Sequence, residues 1–246
     1  MKAPSATTIL FFVIALVVYA AISNQGQEVV VEESVPIDPD WAAIDAWPGL
    51  EAGDVDAQPN PNRTFTAIVL DDSGSMGGDI VPAREAVVAA LDEMAPEDRV
   101  AVIALNTGVI LPFTAVADAL PALVDNLRRV ESSGGTPLTS AVNAARGALA
   151  QEAAVAGGFG TYRILVTTDG EADDSRALRA EIEDIARTTP IQVATIGVGI
   201  RGDHILRRPD LAAFVAIDNI EQLAGALRDA IAEEQDFSAI TSFEDG

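Results

Sequence analysis

Ile68-Val69-Leu70-Asp71-Asp72-Ser73-Gly74-Ser75-Met76 decides how this chain is read. A short apolar run ends in an acid, and two hydroxyls follow at alternate positions in a glycine-containing turn. Oxygen atoms gathered at the end of a buried strand are the ligand type a hard divalent cation takes. Two later segments fit the same arrangement. Gly134-Gly135-Thr136-Pro137-Leu138 places a hydroxyl in a glycine turn ahead of a helix, and Ile164–Asp169 is a second apolar strand ending in an acid.

Around these segments the texture alternates. Strand-like runs are Phe65–Leu70, Val100–Leu105, Val109–Phe113, Arg163–Thr167, Gln192–Ile196 and Phe214–Ile217. Helix-like runs are Val81–Met94, Ala117–Val130, Pro137–Ala150, Arg176–Arg187 and Ile220–Glu233. Alternation of this kind predicts a doubly wound α/β fold with helices on both faces of a mostly parallel, six-stranded sheet. Only Asn106-Thr107-Gly108 separates the second and third strands. A joint that short suits a hairpin and not a crossover, so one edge strand is expected to be antiparallel.

In an open parallel sheet, ligands bind beyond the carboxyl ends of the strands, where strand order reverses. Asp71 and Asp169 each end a strand and can face that crevice. Ser73 and Ser75 can point the same way, with Gly74 allowing the tight turn between them. Thr136 precedes Pro137, a favourable first helical residue, which puts the Thr136 hydroxyl at a helix N-terminus.

Composition removes most alternatives. The formal charge of −23 on 246 residues argues against nucleic acid, which calls for a basic footprint, and favours an acidic surface that attracts cations. No cysteine is present, so disulfides, thiolate metal sites and cysteine nucleophiles are excluded. Lys2 is the only lysine and His204 the only histidine. Schiff-base chemistry, lysine-dependent phosphate loops and histidine-centred triads each lose a central residue, and no enzyme activity is expected. No small-molecule substrate is expected either.

The N-terminal third has a different character. Residues 1–6 are a short polar start, and 7–23 form an apolar segment of 17 residues. As a helix that segment spans about 25 Å, against about 30 Å for a hydrocarbon core. It reads as a membrane anchor or as a cleaved signal, with Ala21-Ile22-Ser23 a weak cleavage site. Lys2 and the amino terminus place the N-terminus in the cytoplasm and the remainder outside. The domain is therefore expected to be membrane-anchored and extracytoplasmic, or secreted if the segment is cleaved. Residues 24–62 hold nine acids and no basic residue and read as an acidic, proline-containing linker. Within it Trp41 and Trp47 are read either as a short helix or patch docking on the domain, or as a partner-binding or membrane-edge motif. The domain is placed at 63–233, and 234–246 is an acidic tail.

Asp71-x-Ser73-x-Ser75, the distal Gly135-Thr136-Pro137 and the strand-ending Asp169-Gly170 resemble the metal-ion-dependent adhesion site of von Willebrand factor type A domains. The resemblance runs from about Arg63 to Glu233, and it implies that family's Rossmann-like fold. It also implies that Ser73, Ser75 and Thr136 coordinate Mg²⁺, with Mn²⁺ or Ca²⁺ as alternatives, while Asp71 and Asp169 act largely through bound water. Neutral hydroxyls leave the ion's charge poorly quenched, so an open position favours a carboxylate from outside. The family uses that position to capture an Asp or Glu of a protein ligand. An alternative implied by the same resemblance is an accessory or assembly factor of a larger membrane or secreted complex, of the kind that works with MoxR-type AAA+ ATPases.

The neighbours of these motifs carry their own expectations. Asp72 is read as a solvated or arginine-paired acid, or as added charge for a cation. Asp79 is expected to cap the following helix. Glu171, Asp173 and Asp174 are read as a solvated lead-in to a helix, or as a rim that repels acidic partners. Met76 is assigned to packing, His204 to the surface or a loop, and Arg207-Arg208 to a solvated pair. Arg201-Gly202-Asp203 spells an adhesion tripeptide that arises readily by chance.

Overall fold

The computed structural model describes residues 37–49, 60–200, 204–208 and 211–232. Six strands form one sheet: β1 Thr64–Leu70, β2 Arg99–Ala104, β3 Gly108–Ala115, β4 Thr161–Thr168, β5 Gln192–Val198 and β6 Ala213–Ile217. Their order is β3-β2-β1-β4-β5-β6, with β3 antiparallel to β2 and every other pairing parallel. The expected sheet and its antiparallel edge are both present. The chain runs outward from β1 to β2 on one side and from β4 to β5 on the other. The order therefore reverses between β1 and β4, whose ends carry Asp71 and Asp169.

Strand alternation sorts the core into two layers. Ile68 and Leu70 of β1 face one layer; Phe65, Ala67 and Val69 face the other. The first layer is closed by α2 Ile80–Ala90, α3 Val116–Leu127 and α6 Leu223–Ala232, through Val87, Leu123 and Leu227 among others. The second is closed by α4 Leu138–Val155 and α5 Ser175–Thr188, through Leu149, Leu178 and Ile185. Each such fully buried side chain contributes about 1.5–3 kcal/mol. Every β1 residue from Phe65 to Leu70 is buried, which is why its sequence is continuously apolar apart from Thr66.

Residues 37–49, which composition placed in the linker, include helix α1, Trp41–Ala46. Asp40 caps it by accepting from the Ala43 amide at 3.1 Å, and the Asp40 amide donates to Arg187 O at the end of α5. Trp47 meets Tyr162 edge-on with 4.8 Å between ring centres, and Tyr162 stacks on Phe65. Of the two readings of the tryptophans, the docking helix is the one observed. The apolar segment 7–23, the tail 234–246 and the tripeptide 201–203 lie outside the described residues. Among the described residues no helix is long and apolar enough to cross a membrane.

Candidate functional site

Asp71 follows the last residue of β1 and is fully buried. Its Oδ1 accepts the Ser73 amide at 2.8 Å, so its own carboxylate shapes the turn that delivers the two serines. Its Oδ2 accepts the Thr168 hydroxyl at 2.7 Å from the end of β4. Ser73 Oγ lies 3.0 Å from Ser75 Oγ, and Ser75 Oγ donates to Asp169 Oδ1 at 2.7 Å. Four of the five residues expected at the site are thus joined by short polar contacts across the β1–β4 reversal.

The loop that carries Thr136 is held against the serine turn. The Gly74 amide donates to Gly134 O at 3.1 Å, and the Ser133 amide donates to Asp72 O at 2.8 Å. Ser132 Oγ donates to Ser73 O at 2.6 Å and accepts the Gly77 amide, holding the serine turn from a second side. Gly134 has φ +78°, and a Cβ there would meet the Asn106 carboxamide, so no larger residue fits this crossing. The helix after it begins at Leu138, with Pro137 as the capping residue, one position later than the sequence placed it.

Several neighbours behave differently from their sequence reading. Asp72 is fully buried and is neither solvated nor paired with arginine. Its Oδ1 accepts the Asn106 amide at 2.7 Å and Asn106 Nδ2 at 3.2 Å; its Oδ2 accepts the amide and hydroxyl of Thr107. Four donors from the β2–β3 turn satisfy one carboxylate, which a single sequence gives no means of matching. Asp79 stands at the N-cap of α2 but makes no capping bond, because its backbone is already helical (φ −73°, ψ −12°). The residue borders an open cavity of about 420 Å³ with Asp169, Val198, Asp218 and Glu221.

Asp174 does lead into a helix, capping α5 through the Ala177 amide at 3.0 Å, whereas Asp173 accepts the Thr136 amide at 3.1 Å. His204 is buried, not on the surface: its Nε2 lies 3.0 Å from Gly170 O and its Nδ1 accepts the Leu206 amide. Those partners fix the tautomer with the proton on Nε2, donating to the loop that follows Asp169. Met76 is packed in the core as expected. Arg207 stacks over the Phe214 ring at 5.8 Å.

Burial raises the Asp169 carboxyl above its ordinary value, against the lowering effect of its bond from Ser75, and the nearby charges of Asp71 and Asp79 raise it further. Sequence reasoning missed Thr168, Ser132, Asn106 and Thr107 as site residues, and gave Asp173 only a lead-in or rim role and not its bond from the Thr136 amide. Only Thr168 left a signal, a hydroxyl at the strand end immediately before Asp169.

Residues 66–171 match the family model described as the von Willebrand factor type A domain. Similar solved structures include a von Willebrand factor type A protein from Catenulispora acidiphila, at TM-score 0.56 and 20% identity. The match covers 70% of this chain and 42% of that one. The pilus adhesin SpaC of Lactobacillus rhamnosus GG matches at TM-score 0.58 and 15% identity, over 74% of this chain and 31% of that one. Manganese-loaded TRAP protein of Plasmodium vivax matches at TM-score 0.52 and 15% identity, over 70% and 74%. At these identities the likeness is one of type A fold. This chain spans less than half the length of the first two. No curated protein matches the sequence.

Proposed function

We propose that this chain is a membrane-tethered, extracytoplasmic type A module that binds a protein partner through a divalent cation, Mg²⁺ first among candidates. Asp71, Ser73, Ser75, Thr136 and Asp169 hold the ion, and residues 7–23 form the tether. The observation that carries the reading is the continuous polar path Asp71–Ser73–Ser75–Asp169 at the strand-order reversal. The donor set is entirely oxygen, with hydroxyls outnumbering carboxylates, which suits a hard cation. The raised Asp169 carboxyl fits as well, since a cation would favour the ionised form that burial and the nearby Asp71 and Asp79 charges disfavour. Adhesin and manganese-loaded proteins among the fold relatives support the same reading.

Bound, the ion would supply one open position for a carboxylate of the partner. The chain's own residues do the rest. Asp71 fixes the serine turn through the Ser73 amide, and Thr168 orients Asp71. Ser75 holds Asp169 at hydrogen-bonding distance, so a cation that takes the Ser75 hydroxyl as a ligand has Asp169 beside it. On this reading the module acts as a binder and not as an enzyme.

Titration calorimetry of the full chain with Mg²⁺ and with Mn²⁺ tests the ion. One site is expected in the wild type and none in Asp71→Ala. Retention of captured partner in EDTA, or in Asp71→Ala, would sink the metal-bridged mechanism. Protease accessibility of the domain in intact cells tests its side of the membrane.

A further inference from the structure

We propose that Asp173 is a positioning residue that yokes Thr136 to the Asp169 loop, and that it acts through geometry and not through its charge. The inference rests on the metal-binding reading of the site and adds a residue to it. Thr136 comes from the loop before α4, and Asp169 from the end of β4. Nothing in chain connectivity holds the two at a fixed distance. The bridge between them is reciprocal: Asp173 Oδ1 accepts the Thr136 amide at 3.1 Å, and the Asp173 amide donates to Thr136 O at 3.1 Å. One residue thereby engages both sides of the Thr136 backbone, from which the hydroxyl projects.

The bridge has a rigid base. Three residues separate Asp173 from Asp169. At the near end of that loop Thr168 Oγ lies 3.1 Å from Gly170 O and 2.7 Å from Asp71 Oδ2, and the buried His204 ring also contacts Gly170 O. At the far end Asp174 caps α5 through the Ala177 amide. Asp173 is therefore carried on a segment pinned on both sides, although the residue itself is exposed. Gly135 is its complement. A Cβ at Gly135 would come within 2.6 Å of Asp173 Oδ2, so the carboxylate lies against a bare backbone that only glycine leaves open. A carboxylate serving merely as a solvated rim charge would need neither the glycine nor the second bond.

Charge and geometry separate cleanly at this position. Asp173→Asn keeps an Oδ1 acceptor for the Thr136 amide and removes the charge; Asp173→Ala removes both. In calorimetric titrations of the full chain with Mn²⁺, Asp173→Ala is expected to bind about tenfold more weakly than wild type, the usual cost of losing a group that orients a ligand. Asp173→Asn is expected to stay within about threefold of wild type on the same basis. Equal loss in both variants, or no loss in either, overturns the proposal.

A second readout is independent of the metal. In EDTA, the Thr136 amide is expected to exchange with deuterium faster in Asp173→Ala than in wild type, and at the wild-type rate in Asp173→Asn. Uniform exchange in all three removes the bridge. If no variant and no wild-type protein takes up Mn²⁺ while the exchange pattern holds, the bridge stands and the metal reading of the site falls.

Discussion

The two ends of the sheet bury acidic groups by opposite means. At the end where β2 and β4 begin, carboxylates sit with cations. Arg99 pairs with Glu152 at 2.6 Å, and the Asp98 charge favours the protonated form of the buried Arg163, whose guanidinium donates to Ala230 O. Burial nonetheless pulls Arg163 down to about 10. On the α4–α5 face, burial likewise works to lower Arg146, but its bonds to Asp184 and Glu181 outweigh that and raise it.

At the end where β1 and β4 finish, Asp71, Asp72, Asp169 and Asp173 accept, among the described residues, from hydroxyls, amides and one carboxamide. Neutral donors satisfy lone pairs without cancelling charge. One end is therefore electrostatically finished by the chain itself, whereas the other carries a surplus that an external cation would relieve.

The largest expected effect comes from breaking the finished end. Asp98→Ala removes the acceptor for the Thr64 and Ala95 amides and the negative charge that favours Arg163. Urea denaturation should register a loss of about 3 kcal/mol. Asp72→Ala, at the opposite end, strands four donors of the β2–β3 turn, and about 2 kcal/mol should disappear in the same assay. If it cost nothing, the neutral-donor network would be ornamental.

Trp47→Ala sharpens the comparison by touching neither set of acids. Loss of the edge-on contact with Tyr162 and of part of the apolar area it covers should cost about 1–2 kcal/mol, read as a lower urea midpoint.

Asp169 separates the two ends by sign. Because the folded protein holds the Asp169 proton to higher pH than an unfolded chain does, the group opposes folding increasingly as pH rises above the ordinary value of 3.8. In EDTA, Asp169→Asn should raise the melting temperature at pH 7 and leave it unchanged at pH 3. A lowered melting temperature at pH 7 would mean that the site is not overcharged. The smallest effect is expected from Arg128→Ala, which breaks an exposed pair with Asp125. A change above about 0.5 kcal/mol there would contradict the weakness of solvated ion pairs.

Much of this molecule was legible in its sequence, for identifiable reasons. Strand and helix periodicities survive because each element buries a face, and the three-residue joint at Asn106–Gly108 leaves room only for a hairpin. The candidate site was legible where side-chain type and position along one strand sufficed: Asp71, Ser73, Ser75 and Asp169. Asp72 was misread, and the burial of the loop residue His204 was not foreseen, because a polar residue in a loop has a solvated default. That default fails when a distant backbone segment supplies its partners. Asp79 was misread because capping depends on backbone angles that no residue type fixes.

Local order along the chain therefore set which atoms could meet at the carboxyl edge: apolar strands must end, and what ends them is acid, hydroxyl and glycine. Only tertiary packing decided what holds those atoms there. Asp72 finds Asn106 and Thr107, Asp173 finds Thr136, and His204 finds Gly170 across separations of 34 to 37 residues. Hydrogen bonds reach about 3 Å, and the distance that matters for them is set by how the layers close and not by how the residues are spaced in sequence.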